Sequence, residues 1–222
     1  LIPSKGNHNV FVAKVSPSFT IEWIKTILGS ATIQDLSFAE SFNGEFLIGG
    51  TYEESISNEA TVLMSEGGTD VFVWKISSNG ENIWLKSFGG IGNEDVKGIE
   101  SLKSGSILIA GNVRKSSHPT YTYLLLSDSD GIAIKSASFK GENSNEVSVL
   151  EIFKDKIFLG GEFDKIIKLG SNLLSSNLSE SKYLAMLDSN LSVNWAFPIL
   201  VDGKTRLGDI EVDAFGNPLI SI

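Results

Sequence analysis

Phe11-Val-Ala-Lys-Val-Ser16 returns as Phe72-Val-Trp-Lys-Ile-Ser77, as Tyr123-Leu-Leu-Leu-Ser-Asp128 and as Tyr183-Leu-Ala-Met-Leu-Asp188, with starts 61, 51 and 60 residues apart. A string recurring at such a spacing marks one supersecondary unit used four times. Twelve residues after each start stand Trp23, Trp84, Lys135 and Trp195, and sixteen after stand Ile27, Phe88, Phe139 and Ile199. A second string, Phe46-Leu-Ile-Gly-Gly50, has copies at Ile107-Leu-Ile-Ala-Gly111, Ile157-Phe-Leu-Gly-Gly161 and Pro218-Leu-Ile-Ser-Ile222.

Each copy reads as short apolar or alternating strands broken by Gly, Asn, Asp and Ser. Ser77-Ser-Asn-Gly80, Asp128-Ser-Asp-Gly131 and Asp188-Ser-Asn-Leu191 are hairpin turns between two strands, and Lys103-Ser-Gly105 and Phe215-Gly-Asn217 separate another two. Four strands per copy follow. The passage Ile33 to Phe42 carries apolar residues near a helical stripe, but its repeat mates, Val96 to Leu102 and Val147 to Phe153, are β-branched and call for a strand. Radial repetition of four-stranded sheets at this period predicts an all-β fold, a β-propeller of antiparallel blades with strand A at the axis and strand D at the rim.

Three blades are expected at about 35–88, 95–139 and 147–199, and a fourth from 209–222 together with 10–27. On this reading residues 1–222 form one domain of four blades, closed by pairing the N-terminal strands with the C-terminal ones, which removes an exposed sheet edge. A chain that opens at Leu1 in mid-repeat also reads as a piece of a longer repeat protein.

The repeat resembles the bacterial propeller family called SBBP, whose units carry strings of the kind DxFVAKLxxxGxxxWxxxxGG. The likeness rests on Asp70-Val-Phe-Val-Trp-Lys-Ile76, Gly80, Trp84, Gly89-Gly90, Gly98-Ile-Glu100 and Ile107-Leu-Ile-Ala-Gly111, and the other copies match less well. It implies an exported or surface-associated bacterial protein, found in the extracellular space, the periplasm or at the cell surface. Members of this family are largely without an assigned activity.

Composition narrows the function. With 41% hydrophobic residues, 22 Gly and only 5 Pro the chain is globular, and without cysteine it has no disulfides, thiolate metal sites or cysteine nucleophile. A net charge of −9 disfavours nucleic acid and anionic lipid as partners. No run approaches the ~18 apolar residues that span a bilayer, so direct membrane insertion is not expected. His8 and His118 are the only histidines, and no nucleophile-elbow motif accompanies them, so no catalytic residues are assigned.

Several residues invite a specific reading. Asp128-Ser-Asp-Gly131 has the carboxylates of a calcium loop, but its repeat mates are plain turns. Trp23, Trp84 and Trp195 share a repeat position and are expected to fill space between blades, as is the unrepeated Trp74. Glu100 and Glu211 hold the same position on two A strands and could face one channel cation, their counterparts falling on Ala39 and about Leu150. No other cofactor is expected. Two B-to-C connections, Thr51 to Thr69 and Glu162 to Ser181, are long enough for an added hairpin. They either cover blade edges or stand as walls of a cleft around the shorter, basic connection that carries Arg114, Lys115, His118 and Tyr121. With Tyr52, these four are the expected ligand-binding residues.

Function follows from that cleft: a non-enzymatic binding or structural module whose loops on one face recognise a protein or a glycan. The alternatives are a carbohydrate-acting enzyme built on an Asp/Glu pair, or a passive spacer in a repeat stalk.

Overall fold

The computed structural model describes residues 8–41, 43–178, 180–201 and 205–222, so the opening segment around Leu1 to Ser4 lies outside the described residues, as does Phe42. Among the described residues there is no helix, and every sheet ladder is antiparallel. Two compact units make up the chain, Leu1–Val96 and Lys97–Ile222.

The first unit holds β1 (His8–Val15), β2 (Ile21–Gly29), β3 (Ile33–Glu40), β4 (Phe46–Ser57), β5 (Val62–Ile76) and β6 (Asn82–Phe88). The unit boundary falls within β7 (Asn93–Ser101). Strands β3 to β6 form a four-stranded meander over the span expected of the first complete repeat, and β1 and β2 pair as a hairpin. The second unit continues with β8 (Ile107–Lys115), β9 (His118–Ser127), β10 (Ala133–Gly141), β11 (Asn145–Phe153), β12 (Lys156–Phe163), β13 (Ile166–Leu169) and β14 (Asn172–Ser175). It ends with β15 (Ser181–Asp188), β16 (Val193–Ile199), β17 (Asp209–Val212) and β18 (Pro218–Ser221). Here β7–β8–β9–β10 and β11–β12–β15–β16 are two further meanders, and β17–β18 is a two-stranded sheet. The ladders of the described residues close no ring, and the joining of β1–β2 to β17–β18 expected from the repeat is not among them.

The middle strands of each meander are apolar without alternation because both of their faces are covered. In the second unit one cluster takes Leu108, Ala110 and Leu124 from one meander and Leu159, Tyr183 and Leu187 from the next. A second cluster joins Phe158 and Leu184 to Leu207 and Ile210, so β17 packs on the far face of the same meander. In the first unit, Ile27 of β2 packs with Ile48, Phe72 and Trp74.

One cross-strand pair recurs in every meander. Gly50 lies opposite Phe72, Gly111 opposite Tyr123 and Gly161 opposite Tyr183. A Cβ on Gly50 would stand 2.5 Å from the Phe72 ring, and one on Gly161 would meet the Glu146 carbonyl oxygen first and the Tyr183 ring at 2.7 Å. Each of these two rings therefore occupies the space that a side chain on its glycine would need. The next residue along the strand reaches toward the strand of the following repeat. Thr51 Oγ1 accepts from the Val96 amide at 3.2 Å, and the Asn112 side chain both accepts from the Val147 amide and donates to its carbonyl, at 2.8 and 3.1 Å.

The turns repeat as closely. In all four copies of the C-to-D turn the chain bends through a left-handed residue, namely Phe19, Gly80, Gly131 and Leu191. Asp128 Oδ1 accepts from the amides of Asp130 and Ile132, as Asp188 Oδ1 does from Asn190 and Ser192. The carboxylate at Asp128 thus caps a turn, as its repeat mates indicate.

The repeated tryptophans depart from expectation. Trp23, Trp84 and Trp195 are half-buried, whereas the unrepeated Trp74 is fully buried and donates Nε1–H to Asn82 Oδ1 at 2.7 Å. At two copies the repeat position serves the neighbouring turn, where Trp23 donates its indole N–H to the Ser78 carbonyl and Lys135 donates to that of Asn190, whereas Trp195 packs edge-on to Phe158 in the cluster that includes Leu207 and Ile210.

Both long connections form hairpins, and each ladders onto an edge strand of the preceding repeat. The outer ends of β4 and β5 pair with each other and then with β2 at Leu28 and Gly29. The hairpin β13–β14 pairs with β10 at Lys140 and Gly141. Gly29 and Gly141 hold the same repeat position, and a Cβ there would meet the His8 carbonyl oxygen at 2.9 Å or that of Ile166 at 2.7 Å. The insertions therefore cover sheet edges, the plainer of the two sequence readings.

Candidate functional site

The connection between β8 and β9 is a tight hairpin closed by the Lys115–His118 pair. It carries Lys115, His118 and Tyr121 to one side of a pocket of about 220 Å³, completed by Lys140, Gly141 and Asn143 from the end of β10 and the segment after it. Lys140 Nζ lies 4.8 Å from the centre of the Tyr121 ring, a cation–π contact that fixes both side chains. His118 Nδ1 is 2.9 Å from Ser117 Oγ, and the ring is exposed. Beside this pocket runs an open groove of about 580 Å³, lined by Ser138, Lys140, Lys168, Ser171 and Ser192 among others. Lys140 belongs to both.

Two of the expected ligand-binding residues lie elsewhere. Arg114 Nη2 donates to Glu146 Oε2 at 3.0 Å in a surface ion pair and does not line the pocket. Tyr52 is fully buried in the core of the first unit, where its hydroxyl meets Ser87 Oγ at 2.7 Å, so it offers no surface to a ligand. Its place in an apolar strand, six residues past Phe46, is that of a core residue. Lys140 and Lys168 escaped the sequence reading because only the pairing of β10 with β13 brings them opposite each other.

The acidic position on the A strands holds one more carboxylate than the sequence suggested. Hydrogen bonds from Leu102 to Ser106 and from Asp213 to Asn217 close three-residue turns, whereas Phe153 pairs directly with Lys156 across a two-residue turn. Counting back from these closures aligns Glu100 and Glu211 with Glu151, and corrects the assignment to about Leu150. Burial and the charge of Glu151 push the Glu100 carboxyl up to about 7. Glu151 is raised in turn by burial, then by Glu211 and Asp209. Among the described residues no three His, Asp or Glu side chains come together as a metal site.

A third pocket, of about 180 Å³, is acidic, lined by Glu146, Glu162, Asp164 and Glu180. Its carboxylates are engaged: buried Lys182 donates to Glu162 and Glu180 at 3.0 and 2.8 Å, Arg114 binds Glu146, and Asn143 donates to Asp164. Burial raises the Glu162 carboxyl, with Glu180 adding to the rise and Lys182 opposing it.

Compared with protein-family models and with curated proteins, the chain matches none.

Glu100 gives a pH test with a definite sign. Its folded value of about 7 exceeds the ordinary 4.5, so between these limits the native state holds more protons than the unfolded chain. Its contribution to stability is therefore lost as pH rises through that window. Urea melts at pH 5 and pH 8 should show a larger drop for the parent than for Glu100→Gln, and equal drops would remove Glu100 from the account.

Proposed function

We propose that the chain is a non-enzymatic binding module whose β8–β9 hairpin face recognises a protein or glycan partner. The carrying observation is the pocket that gathers Lys115, His118 and Tyr121 from that hairpin and adds Lys140. Binding residues borne on a short hairpin of a rigid sheet scaffold suit recognition. The alternative of a carbohydrate-acting enzyme gains little from the acidic pocket. Glu162 and Glu180 share one ammonium group there and are held as an ion pair, whereas glycoside hydrolysis needs two carboxyls flanking a sugar.

The propeller reading belongs to the same proposal. Each meander is taken as a blade, and β1–β2 and β17–β18 as the two halves of a fourth, with Pro218-Leu-Ile-Ser-Ile222 beside β1. Phe11 and Val15 are 59% and 51% exposed, while their repeat mates Phe72, Ile76, Tyr183 and Leu187 are fully buried, which supports a missing neighbour for β1. The SBBP resemblance supports an exported, surface-associated setting in a bacterium.

Two experiments test these readings. On arrays of glycans and of extracellular proteins, the parent chain should retain partners that a Lys115→Ala/His118→Ala variant loses. Identical profiles for the two would overturn the assignment of this face. For closure, the chain lacks cysteine, so Val12→Cys with Ser221→Cys should form a disulfide within the monomer under mild oxidation. Free thiols, or cross-linked dimers alone, would refute a ring closed within one chain.

A further inference from the structure

Lys140 and Lys168 stand directly opposite each other on adjacent antiparallel strands. Such like-charged pairs repel, and cross-strand neighbours on one face lie only about 5 Å apart at their Cβ atoms. Neither ammonium group has a carboxylate partner among the described residues, and both line the same open groove. At its end Lys140 also enters the smaller pocket, where Lys115 and His118 wait. No Asp or Glu is among the described residues lining either hollow, in a chain whose net charge is −9. Glu142, two residues past Lys140, is exposed and is not among the residues lining either hollow, and Glu146 and Asp164 are turned to Arg114 and Asn143.

We propose that this paired groove and pocket bind an acidic polysaccharide, with successive anionic sugar units seated at Lys140–Lys168 and at Lys115–His118. The inference rests on the reading that this face binds a ligand, and it names the ligand's class. Three features select an anionic sugar. The cations are unneutralised and adjacent, so an anion between Lys140 and Lys168 converts their repulsion into two charge-assisted hydrogen bonds. The rest of the polar lining is hydroxyl and amide: Ser138, Ser171 and Ser192 in the groove, Thr120 and Asn143 in the pocket. Neutral donors and acceptors of that kind match sugar hydroxyls. The shape is a groove running into a pocket, which suits a chain with a terminal or bent unit better than a single small ion. The common chemistry is a carboxylate or sulfate group on a sugar, and the experiment separates the two.

Calorimetry at 0.15 M salt, with exposed surface attraction screened beyond about 8 Å, compares four probes: oligogalacturonate, dextran sulfate, neutral dextran and poly-glutamate. Oligogalacturonate or dextran sulfate should bind, the tighter of the two identifying the anion, and neutral dextran and poly-glutamate should not. Lys140→Gln and Lys168→Gln should each weaken binding by about tenfold or more, with melting curves verifying that both variants fold. Anion binding that is indifferent to both substitutions would overturn the proposal, as would equal binding of neutral dextran or of poly-glutamate. Binding of neutral dextran that is lost on Lys115→Ala/His118→Ala would leave the broader reading of this face standing while refuting the anionic ligand. No binding by any of the four probes refutes the acidic sugar and leaves the wider reading to the arrays.

Discussion

The pairing of a glycine with an aromatic ring across the two central strands constrains each repeat. With Phe72 opposite Gly50 and Tyr183 opposite Gly161, a large ring fits inside a sheet already covered on both sides, in the place a Cβ would otherwise take. Glycine weakens a strand by itself, and an aromatic partner across the ladder offsets that weakness. The residue after the glycine is then placed to reach the next repeat, as Thr51 and Asn112 do. Register within a meander and attachment between repeats thus turn on two consecutive positions of one strand and the aromatic residue facing the first of them.

The candidate site grows from this scaffold by variation of one connection. Where the connection after the second strand is long, it folds into a hairpin that covers an edge strand. Where it is short, as between β8 and β9, its basic residues stay at the surface. The hairpin β13–β14 then does two things at once. It completes the edge of β10, and it carries Lys168 to the position facing Lys140, forming a basic groove in an acidic protein.

Much of the fold is legible in the sequence because the repeat exposes it. Phe72-Val-Trp-Lys-Ile-Ser77 and its copies mark the third strand of each unit, and the copies of Phe46-Leu-Ile-Gly-Gly50 mark the second. The stripe at Ile33 to Phe42 resolves into strand β3 over Ile33–Glu40 once its mates are considered. What escapes is whatever depends on turn length or on pairing outside the repeat. A two-residue turn at Lys154-Asp155 shifts Glu151 into the acidic register, a change that alignment by spacing misses. The Lys140–Lys168 pair arises where an inserted hairpin ladders onto β10, a pairing that the repeated strings do not record. Tyr52 misled because aromatic residues near a long connection resemble a binding surface, while the extension of β4 beyond Gly50 keeps it in the core.

The glycine–ring pair can be observed directly in solution by nuclear magnetic resonance, since an α proton held against an aromatic ring is displaced from its normal frequency. Gly50 and Gly161 should show ring-shifted α protons with cross-relaxation to Phe72 and Tyr183, and the shift at Gly50 should disappear on Phe72→Leu while that at Gly161 remains. Unshifted α protons at both glycines, in a folded chain, would contradict the glycine–ring pairing.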